Sequence, residues 1–322
     1  MLTRRAALAT LLATTVLRPA HAQTFPSRSI TIIVPYPAGG PTDVLARLVA
    51  QHAGADLGQS ITVDNRGGGA GVIGSVAAQR ADPDGHTLVL GTNQTHATNQ
   101  SLLKNHPFDA ARDFTAVSGL VEVPHVLVVR KDLAIKDVAE LVTLAKGKPG
   151  GLNCGSTGVG SASHLTMELF KTHADVAMLH VPFRGSAPLI TELLAGRIDV
   201  SFATLPTVAA QVDNGDVKAL AIASTKRTPR LPRVPTLNEA GITGVEADAW
   251  FALFAPAGTP LPIRERIHEA VVKGLASEAA KSVLAAQGMT LAVKSPAELA
   301  AMIPAEIEKW AAVIKVANVI PE

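Results

Sequence analysis

The chain has 322 residues, 47% of them apolar and 17% charged, with a formal net charge of +2. That length suits two domains of ordinary size, and the apolar share excludes a disordered chain. The positive sign is local: residues 1–22 hold Arg4, Arg5 and Arg18 and no acid, and without them 26 basic residues face 27 acidic ones. A balance so close to neutral carries no surplus for phosphate, so nucleic acid is excluded as a partner.

Residues 1–22 read as a secretory signal, with a basic start, an apolar run over 6–17 and Ala20-His21-Ala22 as the cleavage pattern. Arg4-Arg5 fits either the general secretory or the twin-arginine route. No later apolar run is long enough to cross a bilayer, so the mature chain is expected to be exported, soluble and not membrane-spanning. Cys154 is the single cysteine, which excludes an intrachain disulfide and reads as a small buried thiol. The ten histidines include no H-x-x-x-H pair; no metal and no cofactor are expected.

Residues 30–34 read as a strand, 35–41 as a turn and 42–53 as a helix. A strand at 60–64, a helix at 72–80 and a strand at 86–90 continue the alternation. This β-α-β-α-β order predicts a mainly parallel sheet flanked by helices, the α/β class. Residues 123–129 and 249–254 read as long strands, and placing them as crossovers gives two lobes. The first lobe comprises residues 23–124 and 253–322, and the second residues 125–252. Within the second, strands are expected at 151–153, 178–181, 198–202 and 219–223, with helices at about 161–172 and 187–195. Ser295-Pro296-Ala297-Glu298 is a capping box opening a helix to about residue 317, which Pro304 is expected to kink or split.

Three glycine-rich turns lie between a strand and a helix. Pro37-Ala38-Gly39-Gly40-Pro41-Thr42-Asp43 lets backbone approach a ligand and opens a helix whose free N–H groups favour an anion. Simple capping by Thr42 or Asp43 is the plain alternative. Residues 69–74 fit G-x-G-x-x-G, but residues 88–93, at the end of the next strand, lack the acid that a dinucleotide ribose needs. Gly155-Ser156-Thr157-Gly158-Val159-Gly160-Ser161 combines hydroxyls with amides at a helix start, suited to a carboxylate. His164 in that helix reads as packing or capping rather than as a base for Ser161. Turns of this kind in two lobes can face each other and enclose a small anion, with no evident nucleophile–base pair.

These segments resemble the extracytoplasmic solute receptors of tripartite tricarboxylate transporters, the Bug family. The likeness rests on residues 35–43, 155–161 with His164-Leu165, 180–188, 196–202, 234–241 and 250–260. It implies a two-lobed periplasmic binding protein of type II that closes on its ligand like a flytrap. It also implies a small carboxylate as ligand, membrane subunits as partners, a monomer, and no catalysis. By the same resemblance, ligand contacts in the first lobe are expected from Tyr36, Ala38, Gly39, Gly40 and Thr42, and after the third strand from Thr92, Asn93 and Thr95. Those in the second lobe are expected from Ser156, Thr157, Gly158, Gly160 and Ser161, with Phe183, Arg184, Gly185, Ala203 and Thr204 on the rim. Asp199 reads as structural. Phe183-Arg184 stands where the family often has Tyr-Lys, and its forked cation suits a second carboxylate. Ala203 stands where an acid is frequent, which points away from amino acids. Two alternatives stand beside this reading: an exported nucleotide-dependent oxidoreductase using Gly69, Gly71 and Gly74, and a periplasmic ligand sensor for a membrane kinase.

Overall fold

The computed structural model describes residues 25–320, so the expected signal segment lies outside the described residues. The first strand β1, Ile30–Val34, is a β-branched run with almost every side chain buried. Helix α1 (Pro41–Leu57), strand β2 (Ile61–Asn65), helix α2 (Val72–Gln79) and strand β3 (Thr87–Thr92) follow in the expected order. A single wide turn, Gln94–Thr98, runs into the short helix α3, Asn99–Leu102.

The expected strand over 123–129 is two strands, β4 (Phe114–Val123) and β5 (His125–Arg130). Pro124 separates them; it has no N–H to give to either sheet, and its carbonyl accepts from the amide of Leu205 at 2.9 Å. The second lobe then builds α4 (Val138–Gly147), β6 (Asn153–Ser156), α5 (Ala162–Ala174), β7 (Leu179–Pro182), α6 (Ser186–Leu194), β8 (Val200–Thr204), α7 (Leu205–Asp213) and β9 (Val217–Ile222). The chain returns in β10 (Ala249–Pro256) and closes with α8 (Leu261–Leu275), α9 (Glu278–Gln287), β11 (Thr290–Lys294) and α10 (Pro296–Val316).

One sheet has the order β11-β4-β10-β3-β1-β2 and the other β7-β6-β8-β5-β9. Both are mixed rather than mainly parallel. In the first, β1 is parallel to β2 and β3, whereas β10 runs against both β3 and β4. In the second, β6 is parallel to β7 and β8, and β5 runs against β8 and β9. The antiparallel members adjoin the crossings, because a chain arriving from the other lobe enters its sheet at the end where the parallel strands leave. Strand β10 pairs along its whole length within the first sheet, so the return crossing lies before Ala249 and residues 249–252 sit with the first lobe's strands.

Each sheet is covered on both faces. Ile30, Ile32 and Leu88 pack against Leu45 and Val49 of α1 and Ile267 and Val271 of α8, while Val89, Phe254 and Trp310 fill the opposite face. In the second lobe Leu127, Phe170 and Phe202 form one core and Val126, Val128 and Leu193 the other. Asp199 accepts from Arg130 Nε at 2.7 Å and from the Asn153 amide at 2.8 Å, which makes it a fastener within this sheet.

The Ser295–Glu298 capping box forms, and α10 runs unbroken through Pro304. Pro304 and Ala300 are both exposed, so water can take the carbonyl that the missing N–H leaves free. Two indoles anchor this helix: Trp250 Nε1 and Trp310 Nε1 donate to the same Glu306 oxygen at 2.8 and 3.0 Å.

Candidate functional site

The pairing directions bring the ends of β1, β2 and β3 to one edge of the first sheet, where β4 leaves and β10 enters. In the second sheet the ends of β6, β7 and β8 share an edge with the start of β5. Only Pro124 lies between the two edges, so they face each other, an arrangement in which open α/β sheets bind ligands.

In the first lobe Tyr36 turns its hydroxyl onto Thr92 Oγ1 at 2.7 Å and Gln94 Oε1 at 3.2 Å. Burial raises its pKa, with the Thr92 bond acting the other way. Ala38 is exposed, and the Gly39 amide donates to Asp43 Oδ2 at 2.9 Å. Burial would raise the Asp43 pKa, but bonds from Arg47 and the Gly39 amide outweigh it and hold the group below the usual carboxylate range. Neither Thr42 nor Asp43 caps α1, contrary to the simple capping expectation: its N-cap is Gly40 and no side chain bonds there. The amides of Thr42 and Asp43 therefore have no acceptor within the helix, and with Pro41 lacking an N–H they are the free donors at this end.

After β3, Thr92 and Thr95 bond to each other, the Thr92 amide reaching Thr95 Oγ1 at 3.0 Å. Asn93 is 2% exposed, and its Nδ2 makes no hydrogen bond to any described residue. A buried donor without a partner costs about 1–3 kcal/mol, which an acceptor supplied by a ligand would recover.

The Gly155–Ser161 turn is organised differently from the expectation. Three of its amides are engaged locally: Thr157 donates to Ser163 Oγ at 3.0 Å, Gly158 to Ser156 Oγ at 3.2 Å and Gly160 to His164 Nδ1 at 3.1 Å. Ser161 caps α5 by accepting from the His164 amide. Ser156 Oγ lies 2.6 Å from His180 Nε2, and the rings of His164 and His180 stack with centroids 3.9 Å apart. Burial, with smaller repulsion from His180 and Lys171, brings His164 down to about 3; burial and Lys171 bring His180 to about 4. Both rings are neutral at ordinary pH.

Unengaged donors in this lobe also lie at two other helix starts: the amides of Ser186 and Ala187 at α6, and that of Thr207 at α7, where Pro124 takes the Leu205 amide and Pro206 has no N–H. Helix α6 begins after Gly185, at φ 102°, and α7 after Thr204, neither with a side-chain cap. Thr204 Oγ1 instead meets Thr207 Oγ1 at 2.9 Å, and Thr207 reaches Ser186 Oγ at 3.4 Å, so hydroxyls from both starts form one row. Arg184 is exposed and Phe183 half-buried. Ala203 is a core residue, packed with Val126 and Leu205 rather than on a rim, because it pairs with Val126 inside the sheet. His180, Ser186 and Thr207 were absent from the expected set; hydroxyls at the first turns of α6 and α7 were the available signal.

Gly71 and Gly74 serve close packing. A Cβ on Gly71 would lie 2.5 Å from Thr95 Cγ2, and one on Gly74 would lie 2.8 Å from Pro35 Cα and the Arg66 carbonyl oxygen. Among the described residues no group of three or more His, Cys, Asp or Glu is placed to hold a metal, and no helix is long and apolar enough to cross a membrane.

A family model described as the tripartite tricarboxylate transporter family receptor matches residues 45–319. Protein BugT of Bordetella pertussis is 36% identical over 298 residues, covering 92% of this chain and 91% of that one. A solved structure described as R. palustris Rpa4515 with adipate has a TM-score of 0.89 at 36% identity, covering 92% of this chain and 100% of the other. MatC from Rhodopseudomonas palustris with bound malate has a TM-score of 0.83 at 34% identity, covering 90% and 100%.

Proposed function

The chain belongs to the receptor family of tripartite tricarboxylate transporters, and from that membership we propose that it captures a small carboxylate between its lobes and hands it to membrane subunits of such a transporter. Members of the family are solute-binding receptors rather than enzymes, so the oxidoreductase considered for Gly69, Gly71 and Gly74 is set aside. The periplasm is the compartment this family implies.

The observation that carries the reading is the set of uncapped helix starts on facing sheet edges. Thr42 and Asp43 amides at α1 offer donors from one lobe, and the Ser186 and Ala187 amides of α6 with the Thr207 amide of α7 offer them from the other. Partial positive charge at each start favours an anion, and Asn93 Nδ2 adds a buried donor. Phe183 and Arg184 then border the opening. A ligand that touches both lobes binds the closed form better and shifts the population toward it by that difference. Two relatives carry adipate and malate, which supports a dicarboxylate-sized ligand here.

The test is a thermal-shift series on refolded, ligand-stripped protein with malate, adipate, succinate, citrate, benzoate and glutamate. A ligand present at about one hundred times its dissociation constant adds about 2.7 kcal/mol of stability. A clear rise with at least one carboxylate is expected; no rise with any of them overturns the reading.

A further inference from the structure

Thr98 Oγ1, in the first lobe, donates to the Gly160 carbonyl of the second at 3.1 Å, while also lying 3.3 Å from the Gln94 carbonyl. The amide of the same glycine donates to His164 Nδ1 at 3.1 Å. A hydroxyl of one lobe, a glycine and an imidazole of the other are thus joined in series. Gly160 has φ 69°, and a Cβ there would lie 1.7 Å from Leu102 Cδ2, so Leu102 sits directly on its α-carbon. Leu102, Leu165 and the half-buried Val159 share one apolar cluster across the lobes.

Because Nδ1 accepts, the proton of neutral His164 is on Nε2, which faces Glu168 Oε1 at 3.6 Å. Lys171 holds that carboxylate at 2.8 Å, and His180 lies stacked on the ring. The imidazole is therefore oriented by its surroundings before the lobes meet.

We propose that His164 is a positioning residue for lobe closure, fixing the Gly160 carbonyl where Thr98 can reach it. This rests on the reading that ligand binding closes the lobes. Loosening the closed form lowers apparent affinity by the fraction of closed state lost, without touching the ligand. His164 acts through Gly160, so its contribution disappears once the Thr98 hydroxyl is gone.

The experiment is a double-mutant cycle in binding, using whichever carboxylate of the panel binds wild type most tightly. Thr98→Val and His164→Leu should each weaken binding about tenfold, mainly through faster release, and the double mutant by about tenfold in total rather than about a hundredfold. His164→Asn, whose side-chain oxygen stands in for Nδ1, should recover to within about threefold of wild type. A multiplicative double mutant, or unchanged affinity in Thr98→Val, overturns the proposal; the second outcome decides even if His164→Leu does not fold. Wild type binding nothing on the panel overturns the receptor reading and this proposal with it.

Discussion

His125 Nδ1 lies 2.7 Å from the carbonyl oxygen of Ala247, so the residue that opens β5 is bonded to the segment by which the chain returns, just before β10. The Ala247 amide in turn donates to the Ala223 carbonyl, and Ala223 donates to that of His125. The two crossings form one hydrogen-bonded unit at the hinge. His125→Leu leaves the buried Ala247 carbonyl unpaired and should lower stability by about 1–3 kcal/mol. His125→Asn, which keeps a donor, should lose less, and urea unfolding of the two variants checks the order.

Three deeply buried imidazoles make the fold sensitive to mild acid. Burial brings His96 down to about 3, with His106 adding to the effect. Burial also brings His125 to about 4, the Ala247 bond opposing it, and His164 to about 3. The unfolded chain takes up these protons first, at the ordinary histidine value, so the stability is complete above about pH 6.5 and declines as pH falls toward the folded values. Each ring contributes a slope of about 1.4 kcal/mol per pH unit in that window, and only its part above about pH 5 lies clear of the range where most carboxylates titrate. Urea midpoints at about pH 7.5, 6 and 5 should fall steadily, and the His125→Leu series should be flatter by about one proton.

Cys154 is fully buried, and its thiol is pushed up to about 12, chiefly by burial. With so little thiolate, native protein should react with a thiol reagent at least about a hundredfold more slowly than protein in denaturing urea. Equal rates would show the thiol to be accessible.

Gly160→Ala places a methyl where Leu102 Cδ2 lies 1.7 Å away and puts Ala at φ 69°. The backbone strain costs about 1–2 kcal/mol in any state, whereas the clash arises only when the lobes meet. Affinity should fall by more than about tenfold, and adding Leu102→Ala should return part of it; no recovery would place the loss in the turn's own strain.

Arg184 is exposed in the short link between β7 and α6. Arg184→Gln should weaken dicarboxylates by about threefold while leaving monocarboxylates nearly unchanged, and the difference should shrink in high salt. Calorimetric titrations at two salt concentrations check this.

The early half of the first lobe was legible because β1, β2 and β3 are short β-branched or apolar runs punctuated by glycine and proline. The start of β4 was not, since Ser118-Gly119 looks like a turn. Gly119 is in fact a strand residue that faces both Ala252 and Lys294 at irregularities in the pairing, and a Cβ there would meet Lys294 Cβ at 2.8 Å. The glycine turns of the candidate site follow strand ends on the two facing edges. What the sequence concealed was which amides stay free: Ser163 and His164 take the Thr157 and Gly160 amides, and no local pattern distinguishes a side chain that turns back from one that points out. The stacking of His164 on His180, sixteen positions away, is set by the pairing of β6 with β7 and leaves no periodic trace.

The chain has two tryptophans, and both donate to Glu306. Trp250 stands at the start of β10, one residue after the return crossing ends, while Trp310 lies in α10. Excited where only tryptophan absorbs, the unlabelled protein therefore emits wholly from the junction between hinge and final helix. Any rotation of the lobes that strains this shared carboxylate will register as a change in emission, giving the molecule its own optical gauge of motion.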